Sequence, residues 1–147
     1  MANTKTSLAD KIAANGPIKS LGQLRIAKAR YNFAVDGGAQ GAIVPKTTTL
    51  LPANAVIVGG TINSTTAVLS AGAATLSVGT SAGSSATSIL GATAKASLSA
   101  NALINAVPVF ATPVKMSAKG YINVTVGTAD LTAGIVEVTL YYYVANA

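Results

Sequence analysis

The amino-acid sequence predicts an all-β protein, a single-domain β-sandwich or jelly-roll-like body with a short N-terminal arm. Apolar and polar residues alternate with a period of two in many short segments, as in strands with one buried face. Turn-forming residues separate these segments, and strands do not alternate regularly with helices. Because 147 residues suit one ordinary domain, we divide the chain into an arm at residues 1–20 and a body at residues 21–147.

The arm has the pattern of a short helix followed by a stop. Ser7 can cap a helix that runs to Ala14, with Asp10 three positions on in a capping-box-like start. The Asn-Gly-Pro run at 15–17 ends it, because Gly accepts the left-handed conformation and Pro cannot continue a helix. A helix of this length is marginal alone. We therefore expect the arm to become ordered only where something holds it.

The body is predicted to begin with a strand that has a basic face. Apolar residues from Ala27 to Val35 alternate with Lys28, Arg30 and Asn32, and an Asp-Gly-Gly turn at 36–38 ends the run. Later strands are predicted from the same alternation at 74–78, 114–118, 122–126 and 136–144, with shorter ones at 42–44, 47–51, 55–58 and 61–68. One face of each strand should be dry and the other wet.

Five segments interrupt the strand pattern. The Gly-Gly pair at 59–60 predicts a bulge or a sharp bend where one long strand changes sheet. Turns are predicted at 52–54, 80–85 and 128–130. Residues 88–94 have weak helical character, which Gly91 weakens further.

The side chains that most enzymes need are scarce, which predicts a protein that is not an enzyme. The chain has no His and no Cys, so Ser–His–Asp and Cys–His sites are excluded. Its four acids are Asp10, Asp36, Asp130 and Glu137. Asp36 and Asp130 stand in turn contexts, where Asp commonly bonds nearby backbone groups. We predict no catalytic residues, no metal site and no cofactor.

The positive charge is concentrated at the front of the chain. The net charge is +6, and the first thirty residues contribute +5 of it. The basic residues there are Lys5, Lys11, Lys19, Arg25, Lys28 and Arg30. They could tether the chain to an acidic protein surface, bind nucleic acid phosphates, or be solvated. Nucleic acid is disfavoured, because the nearby aromatics Tyr31 and Phe33 fall on the opposite strand face from Lys28 and Arg30.

The final strand contains three consecutive tyrosines. By alternation Tyr142 faces the same way as Val138 and Leu140, whereas Tyr141 and Tyr143 face outward with Glu137 and Thr139. Two exposed tyrosines on one face suit an interface, because they bury a large area with little loss of side-chain entropy. Self-association through Tyr141 and Tyr143 and packing beneath the N-terminal arm are both open.

No segment of the sequence is predicted to cross or anchor to a membrane. The stretch between Lys46 and Lys95 has no charged residue, yet Pro, Gly, Ser and Thr interrupt it too often for a run of about 20 apolar residues. The first residues also lack the apolar core of a secretory signal. We expect synthesis in the cytoplasm without export.

Several phrases of the chain resemble a known group, the small head-decoration, or cement, proteins of tailed bacteriophages. The resemblance covers most of the chain and rests on strand and turn phrases without a catalytic motif. The phrases are Gly-Pro-Ile-Lys-Ser-Leu-Gly at 16–22, Ala-Arg-Tyr-Asn-Phe-Ala-Val-Asp-Gly-Gly at 29–38, Leu-Pro-Ala-Asn-Ala-Val-Ile-Val-Gly-Gly-Thr-Ile at 51–62 and Leu-Thr-Ala-Gly-Ile-Val-Glu-Val at 131–138.

The resemblance implies a structural role on the outer surface of a phage head, made in the bacterial host cytoplasm. It implies binding to the major capsid protein, assembly into a homo-oligomer such as a trimer, and bracing of the capsid by an arm that reaches over neighbouring capsomers. The alternative is a receptor- or carbohydrate-binding virion module of a fibre or tail, which is disfavoured because the loops are almost free of aromatic residues.

Overall fold

The computed structural model describes residues 23–82 and 87–145, and these residues form two antiparallel β-sheets. The elements are β1 Arg25–Asn32, α1 Phe33–Asp36, β2 Gly41–Ile43, β3 Thr47–Thr48, β4 Leu50–Leu51, β5 Ala55–Leu69, β6 Thr75–Thr80, β7 Leu90–Ala94, a 3₁₀ turn Lys95–Ser97, β8 Ala102–Asn105, β9 Val114–Lys115, β10 Gly120–Gly127 and β11 Ala133–Val144. The all-β prediction is confirmed. The arm at 1–20, with its predicted helix at 7–14, lies outside the described residues.

The first sheet, called sheet A, is arranged around the pairing of the two longest strands. Its order is β3-β1-β11-β5-β8, and β9 also pairs with β5. The second sheet, called sheet B, has the order β2-β10-β6-β7, and β4 also pairs with β10. Apolar side chains from both sheets form one core, so the described residues fold as one unit. The finer jelly-roll assignment stays a prediction.

The period of two places the core residues as the sequence predicts in β1 and β11. Ala27, Ala29 and Tyr31 are buried, while Lys28 and Arg30 between them are exposed. The same alternation in β11 buries four side chains, those of Val136, Val138, Leu140 and Tyr142. The prediction of one wet face is wrong for β6. That strand lies between β10 and β7, and its Ser77 and Thr80 are buried together with Leu76 and Val78.

The first strand ends earlier than the alternation predicts, and Phe33 and Val35 are not strand residues. A single helical turn, α1, follows Asn32. The Asn32 side chain accepts a hydrogen bond from Ala34 N at 3.1 Å, and Asp36 Oδ2 accepts one from Asn32 N at 2.8 Å. These reciprocal bonds resemble a capping box, although the N-cap bonds the second helical residue and the returning carboxylate belongs to the fourth. They offer the backbone an alternative to the strand that period counting does not detect.

The two aspartates with turn contexts both bind backbone N–H groups, but only one does so locally. Asp36 also accepts a hydrogen bond from Lys46 N at 2.9 Å, so the prediction of a turn-stabilising role is confirmed for it. Asp130 Oδ1 instead accepts from Gln40 N at 3.0 Å, ninety positions away. The local prediction is therefore wrong for Asp130, which joins the turn before β11 to the loop after α1.

The Gly-Gly pair lies inside one continuous strand. Strand β5 pairs with β11 along its length and does not change sheet, so that prediction is wrong. The predicted bulge is confirmed, because Tyr141 pairs with Gly59 whereas Tyr142 pairs with Ile57. A Cβ atom at Gly60 would overlap the carbonyl oxygen of Thr139, and the φ angle of Gly60 is 158°. Close approach of two backbones therefore requires glycine at position 60.

The segment predicted to be weakly helical is a strand. Residues Leu90–Ala94 form β7, which pairs with β6, and the neighbouring helical geometry is confined to the 3₁₀ turn Lys95–Ser97. Hydrogen bonding to β6 supplies an energy that local helical preference does not outweigh.

We expect Gly60→Ala to destabilise the protein and Gly91→Ala not to. The new methyl group at position 60 meets the β11 backbone, whereas a Cβ at Gly91 has nothing within 4 Å. The free energy of unfolding should fall by about 2 kcal/mol or more for Gly60→Ala. Denaturant unfolding of both variants with the wild type measures this, and equal midpoints for the two variants would contradict the close approach.

A buried phenol makes the stability of the fold vary with pH in the alkaline range. Tyr31 is 1% exposed, and its hydroxyl donates a hydrogen bond to Gly37 O at 2.6 Å. Burial and then the negative charge of Asp36 raise the pKa of Tyr31 from 10.0 to about 12. The neutral phenol is thus favoured more in the folded state than in the unfolded state.

The stabilisation from the Tyr31 phenol should be complete below pH 10 and should be lost as the pH rises toward 12. Tyr31→Phe should unfold about 1 kcal/mol more easily at neutral pH, because it lacks the hydrogen bond to Gly37. It should also lose less stability than the wild type between pH 10 and 12. Unfolding free energies measured across that range test this, and parallel curves for the two proteins would refute it.

Candidate interaction face

The exposed side of sheet A brings together two groups of residues that the sequence places far apart. Strand β1 pairs with β11 so that Ile26 lies opposite Tyr141, Lys28 opposite Thr139 and Arg30 opposite Glu137. Strands β5 and β8 extend these rows. We call this surface the outer face, and its residues are Ile26, Lys28, Arg30, Thr47, Thr61, Asn63, Leu103, Asn105, Glu137, Thr139, Tyr141 and Tyr143.

Core packing fixes which side chains form the outer face. Because neighbouring strand residues point to opposite sides, burial of Ala27, Ala29 and Tyr31 leaves Lys28 and Arg30 outside. A shift of one residue in the β1–β11 register would bury both charges, which is energetically costly. The basic pair therefore cannot leave this face while the core remains intact.

The charges on the outer face are largely solvated. Arg30 Nε lies 3.4 Å from Glu137 Oε1, and the two side chains are 50% and 45% exposed. An exposed pair of this kind contributes about 0–1 kcal/mol to folding. The Lys28 side chain is exposed beside this pair, on the same strand as Arg30. These groups remain available for a partner, because folding uses little of their interaction energy.

A shallow depression lies among these charges. It has a volume of about 230 Å³ between β1, β3 and β11, and its lining includes Lys28, Arg30, Thr47, Glu137 and Thr139. Glu137 is the one carboxylate in this lining, so a pair of carboxylates for acid–base hydrolysis is missing from it. Among the described residues no group of three or more His, Cys, Asp or Glu could hold a metal ion. Basic and acidic side chains thus share this lining.

Aromatic and aliphatic residues occupy one end of the outer face. Tyr141 is 38% exposed and Ile26 opposite it is 56% exposed. The Tyr141 ring lies beside Gly59, 3.8 Å from the position of a Cβ there, so it covers a backbone that has no side chain of its own. Tyr143 is partly buried, and Tyr142 points into the core as predicted.

The predicted basic set is divided by the structure. Lys28 and Arg30 share the outer face, but Arg25 has the opposite strand parity, where it pairs with Tyr142, and its side chain is exposed at the strand start. Lys5, Lys11 and Lys19 lie outside the described residues. The three described members therefore belong to β1 and to two different sides of it.

The sequence analysis missed an exposed aromatic residue in a loop. Phe110 lies in the loop between β8 and β9 and is 75% exposed, beside Val107 and Val109, which are 60% and 48% exposed. The expectation that the loops are almost free of aromatics has this exception. Pro108 and Pro113 flank Val109 and Phe110 and mark a stiff turn, but their presence does not indicate which side chains remain uncovered.

Within the described residues, no helix has the length and apolar character required to span a membrane. No protein-family model matches the chain. No curated protein matches it either.

Chains of three phage capsid structures have a similar fold. A chain in the acidic stable capsid structure of Helicobacter pylori bacteriophage KHP30 aligns with a TM-score of 0.60 at 14% identity, over 86% of this chain and 92% of that one. The corresponding values for the cyanophage Pam1 capsid asymmetric unit are 0.61, 21%, 88% and 91%. For the capsid of Ralstonia phage GP4 they are 0.60, 17%, 89% and 91%. The likeness therefore extends over nearly the whole of each chain.

Proposed function

We propose that this chain is a structural protein of a phage virion that binds the outer surface of the head as a decoration, or cement, protein. The observation that carries the proposal is the similarity to chains of three phage capsid structures over 86%, 88% and 89% of this chain. The phrases that resemble head-decoration proteins support the finer assignment to the outside of the head. The partner in this proposal is the major capsid protein.

The chemistry of the described side chains supports a role that depends on surface contacts. Asp36 and Asp130 accept hydrogen bonds from backbone N–H groups, and Glu137 lies beside Arg30. These three carboxylates thus have structural partners. The absence of His and Cys removes two further groups on which catalysis commonly depends. A protein with this equipment acts by covering and joining surfaces.

The outer face is the proposed capsid-binding surface. It combines Lys28 and Arg30, which attract acidic groups, with Tyr141 and Tyr143, which bury a large area at small entropic cost. Many copies in a lattice gain effective concentration, so each contact can be weak. A second function for Tyr141 and Tyr143, self-association within a trimer, is the alternative use of the same face.

The basic N-terminal arm is the proposed tether to neighbouring capsid proteins. Deletion of residues 1–20 should leave a folded body, because the described residues already form a core of their own from both sheets. The shortened protein should fail to decorate heads that lack the native chain. Cryo-electron microscopy of heads mixed with each protein measures occupancy, and circular dichroism verifies folding. Unchanged occupancy would refute the tether.

Charge reversal on the outer face should weaken attachment without unfolding the protein. Lys28→Glu is the test and Lys119→Glu is the matched control, since both lysines are exposed but Lys119 lies outside the outer face. We expect Lys28→Glu to lower head affinity at least about tenfold, or about 1.4 kcal/mol, at low salt. Co-sedimentation with heads measures this. Equal binding by the two variants would exclude the outer face as the capsid contact.

Light scattering separates the two uses of the tyrosines. Tyr141→Ser should leave the oligomeric state unchanged and reduce head binding if the outer face contacts the capsid. Dissociation of an oligomer by the same substitution would assign Tyr141 to self-association.

A further inference from the structure

The loop between β8 and β9 presents an apolar knob. Phe110, at 75%, is the most exposed of the large apolar side chains in the described part of the chain. Val107 and Val109 beside it are also about half exposed or more. Large contiguous patches of exposed apolar side chains often mark interaction sites, so this cluster is a candidate contact. We call these three residues the knob.

The knob is held in place by its own backbone. Val109 and Thr112 exchange hydrogen bonds of 3.4 and 3.0 Å, which close a tight turn with Phe110 at its first central position. Val107 N donates to Ile89 O at 2.8 Å, and the preceding residue donates to Gly60 O. Two prolines further limit the loop. Since the turn is already ordered, a partner would lose little free energy in fixing it.

An apolar depression occupies another part of the surface. Ala67, Val68, Leu69, Lys95, Ala96 and Ser99 line it, and its volume is about 220 Å³. A cavity of about 150 Å³ is known to accept benzene, so this depression has room for one phenyl ring. Leu69 on its wall is 54% exposed. Lys95 Nζ donates to Ser70 O at 2.5 Å, which keeps the ammonium group at the rim.

The knob and the depression cannot meet within one copy. The knob lies beside the first half of β5, where β9 pairs with Val56 and Ile57, whereas the depression lies at the other end of that strand, at residues 67–69. About ten strand residues separate them, a distance of roughly 30 Å. Within residues 23–82 and 87–145, each copy therefore has a knob and a depression that do not contact each other.

We propose that Phe110 of one copy inserts into the depression beside Leu69 of a second copy. The proposal does not depend on the capsid role. The contact is head-to-tail, because two different surfaces meet, and repetition of it gives a ring where the rotation closes. Lys95 at the rim would lie near the inserted ring, a favourable arrangement for a cation and an aromatic face.

The small area of the contact predicts that it is weak between two isolated copies and stronger within a closed ring. A phenylalanine side chain buries about 150–250 Å², far below the roughly 800 Å² per partner of a stable interface. A single insertion therefore gives a weak pair in dilute solution. In a closed ring every copy uses both its knob and its depression, so the contacts reinforce one another.

Tryptophan fluorescence tests the insertion, because the chain has no Trp. Phe110→Trp places one reporter on the knob. It is titrated, up to about 1 mM, with Phe110→Ser chain, which keeps the depression and lacks the knob. We expect a blue shift of the emission that grows with the concentration of this partner. Titration with chain that carries both Phe110→Ser and Leu69→Lys should give no shift. No shift with the first partner, or equal shifts with both, would overturn the proposal.

A disulfide cross-link between copies tests the insertion independently of those variants. The chain has no Cys, so single cysteines are unique. Mixed Phe110→Cys and Ala96→Cys chains should form a disulfide between copies with a yield at least about tenfold above that of Phe110→Cys with Ala42→Cys, a factor equivalent to about 1.4 kcal/mol. Ala96 and Ala42 are both exposed, and only Ala96 lines the depression. Equal yields would show random collision and refute the insertion.

Discussion

The pairing of β5 with β11 is the interaction on which the rest of the structure depends. These strands join residues 55–69 to residues 133–144 by an antiparallel ladder, and every other strand of sheet A attaches to this pair directly or through β1. The ladder orients Val138 and Leu140 toward the core and Tyr141 away from it. Its closest approach requires Gly60, so the core and the outer face share one backbone constraint.

The sequence could predict which residues are buried where a strand has one dry face. In β1 and β11 the alternation identified Ala27, Tyr31, Val138 and Tyr142 correctly, because period two is a local property of the chain. It could not predict the bond between Asp130 and Gln40 or the strand at 90–94. Those features depend on partners distant in sequence.

For the outer face, too, the sequence predicts the local features but not those that depend on distant partners. The outward direction of Lys28, Arg30 and Tyr141 follows from alternation, and the structure agrees with it. Their presence on one surface follows from the β1–β11 register, which pairs residues more than a hundred positions apart. The exposure of Phe110 depends on what the rest of the fold leaves uncovered, and a local sequence pattern contains no information about that.

The strands of the two sheets differ in charge. The strands of sheet B contain no Asp, Glu, Lys or Arg, whereas those of sheet A carry Arg25, Lys28, Arg30, Lys115 and Glu137. Electrostatic attraction acts over about 10 Å in moderate salt, so the charged side chains of sheet A would act on an approaching partner before contact. Insertion of an apolar side chain acts only at contact. A copy oriented by sheet A would then gain its lateral contacts after arrival, through Phe110 and the depression at the far end of β5. On the two proposals, orientation by charge would use the outer face, whereas insertion by shape would use the loop after β8 and the far end of β5, so each could change in strength without altering the core.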